Sequence, residues 1–183
     1  PHWSSARDFF KGQAKFLIKG AGDASKMSPD DINQGDVGDC WFLAGLATAA
    51  LYEKDLMNQV CTKKDEALGI YEFTFRPENR PVKVCVDDGI PVVQDARGKR
   101  VAYCKSRSTG ELWPILLEKA YAKLYGSYKA ISGGLQAHSI SDLMGVDYSF
   151  AFLKFPNKHA YVNPSDLSQF MSQLFARRGR LGC

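Results

Sequence analysis

A nearly uncharged, Ala- and Leu-rich stretch from Cys40 to about Tyr52 constrains this chain more than any other segment. That composition propagates helix well, and a helix with no charged face is expected to be buried. The residues just before it cannot continue the helix, because Gly35 and Gly38 favour turns. The pattern therefore predicts a helix over residues 40–54 with Cys40 on its first turn. A thiol in that position sits at the positive end of the helix dipole, which favours the thiolate. Gln34, six residues upstream, carries an amide N–H able to stabilise an oxyanion developing beside the sulfur. The run Gln34-Gly35-Asp36-Val37-Gly38-Asp39-Cys40-Trp41-Phe42-Leu43-Ala44 thus reads as a nucleophilic cysteine with its electrophilic partner.

The remaining periodicities predict an α+β chain. Residues 71–75 and 82–86 alternate in polarity around Glu78-Asn79-Arg80-Pro81, the pattern of a β-hairpin. Short strands at 91–93 and near 101–103 are expected to extend it around Gly98. Residues 113–125 repeat apolar positions at helical spacing, with Pro114 tolerated in the first turn. A short helix at 139–144 capped by Ser139 is expected, and another at 164–176 that ends before Gly179. The sum is a helical scaffold with a small antiparallel sheet at one side.

Composition excludes several classes. The chain has 183 residues, 45% apolar and 12% aromatic, which suits a packed domain rather than disorder. Net charge is +4 with both signs interspersed; the basic cluster Arg177, Arg178 and Arg180 reads as a helix C-terminal complement, not a nucleic-acid patch. No apolar run reaches the ~18 residues that a transmembrane helix requires. The five cysteines, Cys40, Cys61, Cys85, Cys104 and Cys183, are odd in number and irregularly spaced, without a CxxC. They suggest neither a disulfide framework nor a zinc site, and no signal-peptide pattern opens the chain. A reducing, cytoplasmic setting is expected. Cys85, flanked by Val84 and Val86, reads as structural.

The run from Gln34 to Ala44 resembles the active-site segment of calpains, the calcium-dependent intracellular cysteine proteases. Two further segments agree, in the same order. Glu111-Leu112-Trp113-Pro114-Ile115-Leu116-Leu117-Glu118-Lys119-Ala120-Tyr121-Ala122-Lys123-Leu124-Tyr125-Gly126 is followed by Tyr128, Ala130 and Gly133-Gly134; Val82-Lys83-Val84-Cys85-Val86-Asp87-Asp88-Gly89-Ile90-Pro91 lies between the two helices. The resemblance spans roughly residues 28–183 and leaves 1–27 as an unassigned N-terminal extension. It implies a papain-like fold whose first subdomain carries Cys40 and Gln34, with a protein or peptide as substrate. The same resemblance implies a calcium site using Asp31 and Glu111. Asp30, Asp36 and Asp39 read instead as solvated or turn-capping acids. The close at Leu181-Gly182-Cys183 is similar to the end of that first subdomain, so the second subdomain, with its His and Asn, is expected to be missing.

His159-Ala160-Tyr161 and Asn163-Pro164 superficially match motifs of the second subdomain. His159 falls short of the separation of about 130–150 residues from cysteine to histidine in papain-like enzymes, and Asn163 follows too closely to orient it. His138 is expected in a loop near the cleft, and Gly133-Gly134 either beside a bound peptide or in an ordinary turn. The alternative to a protease core is a non-catalytic, calpain-like protein-binding module.

Overall fold

The computed structural model describes residues 1–17, 32–53, 55–96 and 98–146; Asp30, Asp31, His159, Cys183, the basic cluster and the predicted helix at 164–176 lie outside the described residues. In chain order the elements are β1 (His2–Ser5), α1 (Ala6–Phe9), β2 (Ile32–Asn33), α2 (Cys40–Tyr52), α3 (Leu56–Val60), β3 (Cys61–Asp65), β4 (Ile70–Phe75), β5 (Val82–Asp87), β6 (Gly89–Asp95), β7 (Gly98–Val101), β8 (Lys105–Ser106), α4 (Trp113–Leu124) and α5 (Gln136–Met144). The architecture is mixed: helices packed with small antiparallel sheets ordered β1-β6-β7, β2-β8 and β3-β4-β5.

Helix α4 is the centre of the core. Trp113, Ile115, Leu116, Leu117, Ala120 and Tyr121 are all essentially inaccessible, and burial of each large apolar side chain contributes about 1.5–3 kcal/mol. Pro114 sits in the first turn, where its missing N–H costs no helical bond. On one side Phe42 of α2 stacks on Tyr121, with ring centroids 4.1 Å apart and 16° between planes. On the other, the inward face of β4 supplies Phe73 and Phe75, opposite Val84 and Val82 of β5. Phe75 meets the edge of Tyr121 at 5.4 Å.

The hairpin of β4 and β5 forms as expected, in register Tyr71↔Val86 to Phe75↔Val82, with a 3-10 turn at Pro77–Asn79. Its extension does not. β6 leaves the hairpin sheet one residue after β5 and pairs with β1 and β7 instead. The cause is a corner at residues 87–89: Lys119 of α4 donates to the Asp87 carbonyl at 3.0 Å, the Asp87 carboxylate at 2.5 Å and the Gly89 carbonyl at 2.7 Å. The Lys119 ammonium thereby turns the chain away from the hairpin, and it also lies 4.9 Å from the Trp3 ring. The first residues are part of the same packing. β1 occupies the β6 edge, and Phe16 is buried against Tyr71 at 5.3 Å.

Helix α5 starts earlier than the capping pattern suggests. Leu135 is the N-cap, and Ser139 lies inside the helix, donating to the Gln136 carbonyl at 2.8 Å with the Trp41 carbonyl at 3.3 Å. It faces Gly45 of α2, where a Cβ would overlap the Ser139 hydroxyl. Ser139 is therefore a packing residue at a close helix crossing, not a cap. His138, expected in a loop, is on the same helix. At its far end Asp142, almost inaccessible, accepts from Tyr121 at 2.7 Å and Tyr125 at 2.6 Å. Burial and the Asp142 charge both push the Tyr121 hydroxyl far up, so it remains a donor. Tyr121→Phe leaves a buried carboxylate with one donor fewer and is expected to cost about 1.5–3 kcal/mol, measured by urea denaturation of the two proteins.

Candidate active site

The segment before α2 is shaped by two backbone contacts. The Asp36 N–H donates to the Ala102 carbonyl at 2.9 Å, and the Gly133 N–H to the Gly38 carbonyl at 2.8 Å. Gly35 lies directly on the Tyr103 backbone, where any Cβ would overlap. The chain then enters α2 at Asp39, whose carbonyl accepts the first-turn amides of Phe42 at 2.8 Å and Leu43 at 3.1 Å. Cys40 occupies the first helical position, is exposed and is a free thiol.

Helix α2 is not buried all round, as its composition suggests. Cys40, Ala44 and Leu51 open to solvent, with Leu51 69% exposed, while Phe42, Leu43, Leu46 and Ala49 face the core. Small and apolar residues line both faces, so composition alone cannot say which is covered. The exposed stripe begins at the thiol.

Gln34 is exposed, and its amide donates to the Val37 carbonyl at 3.1 Å. An amide nitrogen carries two N–H groups, and Val37 takes one. The side chain is thus held within the irregular segment that ends at Cys40. Trp41, next to the thiol, donates its indole N–H to the Ile131 carbonyl at 2.9 Å and meets the edge of Tyr121 at 5.8 Å. Gly134 lies against the indole face, where a Cβ would meet ring carbons. That contact supplies the reason for a glycine there: room for Trp41.

Asp39 departs from expectation. It is neither solvated nor a side-chain cap; it is fully buried, and its carboxyl turns inward to the carboxyl of Glu118 on α4. Both oxygens of Glu118 accept the Cys104 N–H at 3.1 Å. Desolvation raises Glu118 well above the ordinary carboxylate range, and Asp39 also moves up. Nothing in the sequence marks this pair, because Asp39 and Glu118 sit far apart and each alone looks like a surface acid. Asp36, by contrast, is exposed and pairs with Arg100 at 2.8 Å.

Of the expected metal ligands, Glu111 is described. It is buried, and Ser106 of β8 donates to its carboxylate. Ser106 is the register partner of Ile32, the first described residue after Asp31. Among the described residues no group of three or more His, Cys, Asp or Glu is arranged to hold a metal.

The four described cysteines differ sharply. Burial pushes Cys61 up to about 11 and Cys104 well above its ordinary value; Cys40 and Cys85 are exposed. Gly134→Ala should displace the indole from its seat and cost about 1–3 kcal/mol, as overpacking typically does; tryptophan emission and urea denaturation together measure both effects.

A family model described as calpain family cysteine protease matches residues 2–183. Calpain clp-1 of Caenorhabditis elegans is 36% identical over 158 residues, 84% of this chain and 19% of the relative. The calpain-type cysteine protease DEK1 of Arabidopsis thaliana is 43% identical over 126 residues, 68% of this chain and 6% of the relative. Calpain-9 of Rattus norvegicus is 34% identical over 175 residues, 92% of this chain and 22% of the relative. The chain spans roughly a fifth or less of the length of these curated relatives. A match along nearly its whole length shows that the chain belongs to the calpain family of cysteine proteases.

Proposed function

We propose that this chain is the first subdomain of a papain-like protease core, and that it carries the nucleophile of a cysteine endopeptidase; β1 and Phe16, packed with that core, count the first residues within it rather than as a separate extension ending at residue 27. The observation that carries this reading is the exposed, free Cys40 on the first turn of α2, beside an N-terminal segment held by Gly35, Gly38 and Asp36. Cys40 attacks the scissile carbonyl of a protein or peptide substrate once its proton has been taken by a base. The oxyanion is held by the Cys40 N–H and the Gln34 N–H not directed at Val37. Trp41 packs beside the site and fixes the first turn through Ile131.

An imidazole must take the thiol proton and return it to the leaving amine, and an asparagine must orient the ring. In this proposal both come from a second subdomain, beyond residue 183 of the parent protein. The uncharged exposed stripe of Cys40, Ala44 and Leu51 supports that reading, since a partner bringing a base to the sulfur would cover that face. The much greater length of the relatives supports it also. Free cysteines without a disulfide framework suit reducing surroundings, so a cytoplasmic setting belongs to the same proposal.

Calcium dependence is proposed on the family and on Glu111. A buried carboxylate oxygen is a hard donor suited to calcium, and Asp31 would provide the second side-chain ligand. The bound cation would supply positive charge that aligns the two halves of the core.

In the folded chain, iodoacetamide followed by peptide mass mapping should label Cys40 ahead of Cys85, the informative comparison because both are exposed. Cys61 and Cys104 should lag because burial keeps them protonated. Equal rates at Cys40 and Cys85 would favour a non-catalytic binding module. In the parent protein, Gln34→Ala should lower kcat on a casein substrate by about 10²–10³, the usual cost of one oxyanion donor.

A further inference from the structure

The Asp39 carboxyl is fully buried, and among the described residues no N–H and no O–H of another residue type reaches either of its oxygens. Its partner is the carboxyl of Glu118, which is also fully buried. Two carboxylates repel, and neither has a proton to give the other. A hydrogen bond between them exists only if one is protonated. We propose that Asp39 and Glu118 hold one proton between them, and that this O–H···O bond is a positioning device seating the first turn of α2, and with it Cys40, on α4.

The geometry makes the bond a three-way joint. Asp39 is the residue whose carbonyl starts α2. Glu118 projects from the middle of α4 and accepts the Cys104 N–H with both oxygens, tying in the segment between β7 and β8. Tyr103 of that segment lies on Gly35, so the same joint supports both ends of the run from Gln34 to Cys40. The groups facing the pair are the Cys104 thiol and the Tyr103 hydroxyl from this segment and the Tyr128 hydroxyl from the chain after α4. Asp36 acts on Tyr103 from farther out. The interactions that act on the two carboxyls include no Lys, Arg or His. The shared proton holds the pair at one negative charge instead of two, which limits the repulsion between the two buried carboxyls.

The sign of the pH dependence follows. Glu118 holds its proton in the folded chain well above 4.5, the value of an ordinary glutamate. Between the two values the folded chain is protonated and the unfolded chain is not, so the stabilising effect is complete below the unfolded value and is lost as pH rises toward the folded one. Over that window the folding equilibrium falls about tenfold per pH unit.

Because the positioning role rests on Cys40 as nucleophile, the test separates the two. Infrared spectroscopy of the whole chain near neutral pH should show the carbonyl stretch of a protonated carboxyl, shifted in D2O, and E118Q and D39N should each lose it. Either amide can donate to the remaining carboxylate, so both variants should fold and lose the alkaline decline in stability that the natural chain shows. E118A should slow iodoacetamide labelling of Cys40 toward the Cys85 rate, and E118Q should restore it. Absence of the band in the natural chain, or its persistence in E118Q, overturns the shared proton. Failure of both amide variants to fold also overturns it, because they preserve the hydrogen bond. If E118Q labels as slowly as E118A, the positioning role is overturned. Cys40 reacting no faster than Cys85 in the natural chain would instead remove the nucleophile reading, while the infrared band still decides the pair.

Discussion

The carboxyl of Glu118 stands at the point on which the rest of the described structure depends. An unpaired charge in such a core would be costly, yet here both oxygens of the group accept the Cys104 amide, and the carboxyl of Asp39 lies beside it. Those two partners belong to the segments that frame the N-terminus of α2. A helix as apolar as α4 can carry one buried carboxyl because its other inward residues, from Trp113 to Tyr121, bury enough surface to offset the desolvation. The polar joint then does what the apolar contacts cannot, since hydrogen bonds are directional and hydrophobic burial is not.

Around that joint, α4 organises two further contacts with different physics. Tyr121 is sandwiched by aromatic rings from α2 and β4 while its hydroxyl binds Asp142 of α5. Lys119, two residues before Tyr121 and on another face of the helix, is a cation that collects the oxygens at the corner between β5 and β6. One helix thus seats the helix that bears Cys40, the second packing helix and the break between two sheets. The thiol lies where this support ends and solvent begins.

Much of the local structure was legible in the sequence. The start of α2, the β4–β5 hairpin and α4 follow from glycine turns, alternation and helical spacing, because each is a local pattern with a strong signal. The short elements β1, α3 and β3 carried no comparable signal. Ser139 was misread as a cap because serine favours that position, but room opposite Gly45 placed it inside α5. Asp39 was misread as a surface acid because its partner is distant in the chain. The predicted extension of the hairpin failed because Lys119, also distant, bends the chain at residues 87–89.

The sequence by itself determined the chemical types at the candidate site, since a cysteine at a glycine-preceded helix start, with a glutamine six residues upstream, is a local arrangement, while the family followed from the resemblance of three motifs in order. Only the tertiary structure decided which face of α2 is open, that Gly134 makes room for an indole, and that the carboxyls of Asp39 and Glu118 are buried beside each other. Those outcomes rest on which surfaces exclude water from which carboxyl. Exclusion of water depends on neighbours from the whole fold, and no window of sequence contains them.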